Sequence, residues 1–407
     1  MHVIFVEPTF PRNQPRFVEG LTAAGAAVSA IGEAPYDALP DGIRRLLVGY
    51  ERVDSVVDEG ALDDAVRRIQ ARGWVDRLEA TVEAHILPTA RVRQARGIPG
   101  TSVETAYLCR DKPAMKEVLR RADVPCARSA GVSTPDEARR FARAVGFPIV
   151  LKPRAAAGAA GTFRVDDEQE LDRVIHRAGL DRGHDAAVEE FVEGHEAFYD
   201  TLAIDGRPAA EFVSHYYPGV LEAMRDRSVS PYFLATNRVD ADSYAEVKRL
   251  GRRVIEALGI GTSATHMEWF FGPKGLKFSE IGCRPPGVGA WDLYCAANDM
   301  DVYTEWARTI VSGRIEQQPS RRFSAGIVNL RPERDGVIRG YDGLDEIDRW
   351  FGEWLIDAHL PTPGTPTQPV EAGYMANAWM RFKHPDYDTL REMLEQVGRT
   401  VRVRAAS

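Results

Sequence analysis

Long hydrophobic runs are missing from this chain of 407 residues. No apolar stretch approaches the ~20 residues that span a bilayer, so no membrane-spanning helix is expected. Cysteine is scarce. Cys109, Cys126, Cys283 and Cys295 show no CxxC spacing, which argues against a zinc site or a disulfide scaffold and fits a reduced compartment. Positive charge is not in excess: 52 basic against 60 acidic side chains leave −8, the wrong sign for a protein dedicated to duplex nucleic acid. Only 7 of the 52 basic residues are lysine, and none precedes Lys112, so each lysine is conspicuous. No GxxxxGK[ST] occurs, which sets aside a P-loop kinase, and no GxGxxG follows the first strand. Segment 1–8 turns acidic too early for a secretion signal, so a cytoplasmic location is expected.

With 44% hydrophobic and 28% charged residues, the chain has an ordinary globular balance. Its length predicts about two to four domains. Segment 3–7 reads as a buried strand, and 61–72 places Leu62, Ala65, Val66 and Ile69 on one helical face. Residues 1–104 therefore read as an open α/β domain. A second block, 105–190, opens with Asp111-Lys112-Pro113, an N-cap followed by proline in the first turn. Within it, 125–190 reads as a small α+β module: a capping box at Thr134–Glu137, a strand ending at Lys152, an Ala/Gly loop, and further strands at 162–165 and 188–192. Block 191–319 carries a hairpin at Asp205-Gly206, an irregular stretch 214–238, a helix over 241–258 and paired strands 263–271 and 276–281. Residues 320–407 read as a last α/β piece. There is no internal repeat.

Two glutamates carry the chemistry. Glu268 and Glu280 each interrupt an otherwise apolar strand, where an unpartnered charge costs several kcal/mol. Facing each other across a hairpin, they would need a cation, and oxygen-only donors suit Mg²⁺. In the other register one of them faces solvent at a sheet edge. Lys152, before the Ala/Gly loop, can reach a phosphate or simply snorkel to the surface. Lys112 at a helix start opposes the macrodipole, which suits a nearby anion; the alternative is a frayed, exposed lysine. The run Glu189-Glu190-Phe191-Val192-Glu193-Gly194-His195-Glu196 breaks a strand and frees backbone groups that can read an adenine edge, unless it is a solvated acidic face. Arg284, in Arg-Pro-Pro-Gly, suits an anionic substrate group or an ion pair with a glutamate.

Taken in order, these elements resemble the ATP-grasp superfamily over residues 75–315. "DKPAMKEVLRRADVP" and "FPIVLKP" are particularly similar. The likeness is nearest to carboxylate–amine ligases of the L-amino acid or dipeptide type, with biotin carboxylase more distant. It implies an ATP-grasp fold: an N-terminal open α/β (pre-ATP-grasp) domain, a small lid subdomain, a central antiparallel sheet and a C-terminal α/β piece. It also implies roles. Lys112 and Lys152 would grip the ATP phosphates. Residues 155–162, with Gly158, Gly161 and Thr162, would form the phosphate loop. Glu189 and the backbone of Glu190 and Val192 would form the adenine hinge. Glu196 would bind ribose, Glu268 and Glu280 one or two Mg²⁺ ions, and Arg284 would sit beside the reacting centre. The phosphate loop is richer in alanine than is usual, and Gly282 stands where members often carry Asn.

The implied activity is ATP-dependent joining of a carboxylate to an amine through an acyl phosphate, releasing ADP and phosphate. Lys152 and Arg284 are the expected catalytic side chains. His215, Tyr216, Arg225 and Arg227 in the long stretch are candidate substrate contacts, with ordinary surface residues as the alternative. Two other readings stay open: a carboxylase using bicarbonate, and a nucleotide-binding regulatory protein that has lost catalysis. The expected partners are small-molecule carboxylates and amines, with neither nucleic acid nor membrane, and a homodimer as the commonest assembly.

Overall fold

In the computed structural model, residues 1–154, 161–287, 289–370 and 374–406 are described. Four parallel strands, β1 (His2–Val6), β2 (Ala27–Gly32), β3 (Leu47–Arg52) and β4 (Arg77–Glu79), form an N-terminal sheet in the order β3-β2-β1-β4. β1 is almost wholly buried because helices cover both faces of the sheet. The helix Glu59–Gln70 packs with Leu62, Ala65, Val66 and Ile69 inward, the face its periodicity predicts.

The helix Lys112–Arg121 starts at Asp111, whose side chain accepts from the Ala114 amide. A small antiparallel sheet follows, in the order β5-β8-β6-β7: β5 (Ser129–Val132), β6 (Ile149–Lys152), β7 (Phe163–Val165) and β8 (Ala186–Glu190). The Thr134–Glu137 capping box opens one of its helices.

The large sheet has eight strands in the order β13-β12-β9-β10-β11-β14-β17-β16. They are β9 (His195–Ile204), β10 (Arg207–Tyr217), β11 (Tyr232–Ala235), β12 (Ser263–Gly272), β13 (Gly275–Gly282), β14 (Ser324–Leu330), then β16 (Leu355–His359) and β17 (Ala378–His384). β15 (Val337–Asp342) pairs apart with β18 (Arg402–Ala406). Block 320–407 therefore continues the central sheet through three strands, β14 bonding to β11 and β17 to β14. The stretch 214–238 is more ordered than its sequence suggests. β10 runs on to Tyr217, a short helix occupies Val220–Ala223, and β11 follows. Alternation there is hidden because β10 is buried on both faces near its end. An aromatic core of Phe5, Phe17, Trp291, Tyr303 and Trp306 joins the N-terminal domain to the helices behind the large sheet.

Candidate active site

A cleft of about 820 Å³ opens between the three sheets. The small sheet supplies Val150, Lys152, Arg164, Glu189 and Glu190, the large sheet Glu196, Tyr216, His266, Glu268 and Glu280, and the N-terminal domain Gln14, Phe17 and Glu83.

Beneath it runs a ladder of alternating charge. Lys116 Nζ lies 2.7 Å from Glu189 Oε1, and Lys152 Nζ lies 2.9 Å from Glu189 Oε2. Lys152 is also 4.0 Å from Glu280 Oε2, which Lys112 Nζ meets at 3.2 Å. Lys112 and Lys116 are four residues apart and so share a helix face. Isolated, each buried ion would cost several kcal/mol; alternation offsets that. Burial opposes the charge on Glu189, yet Lys116 and Lys152 hold its pKa down at about 2. Burial works against Lys152 too, but Glu189 and Glu280 keep its pKa above the ordinary value. For Lys116 burial wins, and its pKa is lowered.

Glu268 pairs with Glu280 directly across β12 and β13, with a bulge that places Ser279 as the extra residue before Trp269 meets Phe278. Opposed residues of an antiparallel pair point to the same face, here the cleft. The sheet-edge alternative for either glutamate is thereby removed. Behind Glu268, His266 Nε2 is 3.7 Å from its Oε1, and His266 Nδ1 is 2.8 Å from buried Asp200. The Tyr294 hydroxyl donates to the other Asp200 oxygen at 2.5 Å. Burial would discharge His266, but Asp200 and Glu268 raise its pKa to about 9. A cation is thus built in beside the paired carboxylates.

Glu190 and Val192 line the cleft where β8 ends, and Arg164 lies 4.4 Å over the Phe191 ring. Gly194 packs against the backbone at Phe271 and Gly272, leaving no room for a side chain. Glu189 turns its carboxylate to the two lysines, so its side chain belongs to the charge ladder. Glu190 is bonded outward to Lys274 at 2.5 Å. Glu196 accepts from the Val220 amide at 2.6 Å; burial, then Glu268, raises its pKa to about 8. Thr162 lines the cleft and Gly161 packs on Pro153, while Gly158 lies outside the described residues.

Arg284 lines the cleft with its Nε 2.6 Å from Glu83, so its direct carboxylate partner is Glu83 and neither Glu268 nor Glu280. Gly282 sits tight against both side chains, and a larger residue there would press on the pair. Two of the candidate substrate contacts are corrected. His215 is turned away from the cleft, hydrogen-bonded to His195 at 2.9 Å and Tyr244 at 2.8 Å, because strand alternation sends it to the face opposite Tyr216. Arg227 is spent on Asp335 at 2.6 Å and does not line the cleft. Tyr216 does line it, and so does Arg225, which donates to the Arg164 carbonyl of β7 at 3.2 Å.

No local sequence signal singles out Glu83, His266 or Tyr374, the last of which also lines the cleft. Lys116 could have been found from its spacing to Lys112 in a lysine-poor chain. Nothing local marks Glu83 as the partner of a residue 201 positions away.

A small antiparallel sheet set over a large one, with a lysine–glutamate cleft between them, is the architecture of the ATP-grasp fold. Residues 117–299 match the family model of the ATP-grasp domain. It is 28% identical over 317 residues to the L-arginine-specific L-amino acid ligase of Bacillus subtilis, covering 74% of this chain and 73% of that one. It is 24% identical over 255 residues to the alanine–anticapsin ligase of Bacillus subtilis strain 168, covering 54% and 52%. The crystal structure of an L-amino acid ligase from Bacillus licheniformis superposes with a TM-score of 0.78 at 16% identity, over 100% of this chain and 99% of that one.

Proposed function

We propose that this ATP-grasp ligase joins a carboxylate to an amine, with amino acids as the substrate class, and that ATP drives the reaction through an acyl phosphate. The observation that carries this reading is the facing pair Glu268 and Glu280 with two lysines on Glu280. The names of the similar ligases support the choice of amino acids.

The donor set fits Mg²⁺. Two carboxylates side by side, with no cluster of three or more His, Cys, Asp or Glu among the described residues, suit an ion that completes its shell with phosphate oxygens and water. Bound there, Mg²⁺ supplies charge neutralisation to the polyphosphate. Lys112 and Lys152 exchange the Glu280 carboxylate for phosphate oxygens, which retains their ion pairing while turning it onto ATP. Glu189 keeps Lys152 from swinging away. The substrate carboxylate attacks the γ-phosphorus, the bond to the bridging oxygen breaks, and ADP leaves. The amine then attacks the acyl carbon, phosphate departs, and the amine gives up a proton. Phosphoryl transfer of this kind depends on positioning and charge. The small sheet above the cleft keeps water from the acyl phosphate.

The test is ADP and phosphate release from Mg·ATP against a matrix of amino acids, small carboxylates and bicarbonate, with Glu280→Ala alongside. Release that needs both a carboxylate and an amine and disappears in the variant supports the ligase. Release with bicarbonate alone would make it a carboxylase.

A further inference from the structure

Arg381 lies outside the cleft, on β17 in the C-terminal block, and is 8% exposed. Its Nη2 is 3.0 Å from Asp292 Oδ2, its Nη1 is 3.2 Å from Asp357 Oδ2, and the guanidinium sits 4.2 Å over the Trp379 ring. Asp292 stands in the first turn of the helix Ala290–Asn298, directly behind the turn whose residues Arg284, Pro285, Pro286 and Gly287 line the cleft. At Gly289, where φ is +74°, a side chain would collide with the Arg381 guanidinium. The other Asp292 oxygen accepts from the Tyr303 hydroxyl at 3.0 Å and from Arg16 Nη1 at 3.4 Å. Arg16 belongs to the helix Gln14–Ala23, whose Gln14 and Phe17 form the facing part of the cleft wall.

One carboxylate thus ties together three segments distant in sequence: the N-terminal helix, the Pro-rich turn and the C-terminal strand. A planar guanidinium that is buried, stacked and shared between two carboxylates holds its geometry more tightly than a lysine could. We propose that Arg381 is a positioning residue for the end of the cleft that takes the carboxylate and amine, setting the Pro-rich turn against the N-terminal helix. At the ATP end the lysines and the strand end at Glu190 belong to the helix Lys112–Arg121 and the small sheet, while Glu196, Glu268 and Glu280 stand on the distant strands β9, β12 and β13; among the described residues Arg381 has no ion pair with any of them. The inference rests on the ligase reading for its substrates and on geometry alone for its mechanical part.

The experiment compares full-length wild type, Arg381→Met and Arg381→Lys. KM for ATP and KM for the productive amino acid are measured separately, together with deuterium uptake of peptides covering 284–289 and 189–194. A misplacement of about 1 Å can cost ~100-fold in rate; a loosened wall at the amino-acid end weakens binding there as well, so Arg381→Met should raise the amino-acid KM by roughly tenfold while ATP KM moves less than about twofold. Arg381→Lys should recover part of the loss. Peptide 284–289 should exchange faster and 189–194 should not. Should Arg381→Met not fold, Asp357→Asn removes one of the two anchors and should show the same pattern more weakly. Equal rises in both KM values, or unchanged exchange at 284–289, would overturn the proposal. A wild-type enzyme inert toward every substrate would refute the ligase reading instead, and the exchange data would still decide the role of Arg381.

Discussion

Glu268 on β12 and Glu280 on β13 stand directly opposite each other, and the two are held in unlike ways: His266 and Asp200 lie behind Glu268, while Lys112 and Lys152 meet Glu280 from the cleft. Like charges facing across strands destabilise by roughly 0.2–1 kcal/mol. Glu268→Gln relieves that repulsion but also weakens the partner of His266, 3.7 Å away, so its melting temperature without nucleotide should change little. Its ADP release should fall by at least ~100-fold and need more Mg²⁺ for half-saturation. Thermal melts and Mg²⁺ titrations of turnover check the two halves. A variant that keeps its rate and its metal requirement would remove Glu268 from the site.

Glu189 is the anion on which two buried lysines depend. Glu189→Gln leaves Lys116, 1% exposed, without a counter-charge, and should cost about 3–5 kcal/mol of stability. The pH profile has a definite sign. The pKa of Glu189 falls from 4.5 to about 2 on folding, so its contribution is complete above about pH 4.5 and is lost as the pH drops toward 2. That span corresponds to about 3 kcal/mol. Denaturant melts between pH 2 and 6 should show a steeper acid loss in wild type than in Glu189→Gln.

His215 belongs to the back of the sheet. Replacing it with phenylalanine strands the His195 ring and the Tyr244 hydroxyl and should cost about 1–3 kcal/mol. Burial, and then His195, press its pKa down to about 3, so its folded form is neutral. Stability from this group is present above about pH 6.5 and declines as the pH falls below it. The ranking of substrates in the release assay should not change. A changed ranking with unchanged stability would return His215 to the list of substrate contacts.

Much of the candidate site was legible in one dimension because its signals are local. A charge in an apolar strand exposed Glu268 and Glu280, a strand end before small residues exposed Lys152, and an N-cap followed by proline located Lys112. The hairpin at Asp205-Gly206 and the capping box at Thr134–Glu137 obey turn and cap chemistry that spans four residues, and both stand where that chemistry puts them. His215 misled because a doubly buried strand end carries no alternation, so its neighbour Tyr216 could not be told from it.

The sequence by itself determined many of the helix and strand starts, the charges of Glu268, Glu280 and Lys152 in apolar strands, and an order of elements that matches the ATP-grasp domain model over residues 117–299. Those are properties of short windows, governed by backbone sterics, capping and the cost of burying charge. Only the tertiary structure decided that Glu268 faces Glu280, that Lys116 and Lys152 share Glu189, that Arg284 is held by Glu83, and that strands after residue 320 extend the central sheet. Each of these needs sheet register or contact between residues distant in the chain. Such pairings are chosen by the packing of the whole molecule, and no window of sequence contains both partners and the space between them.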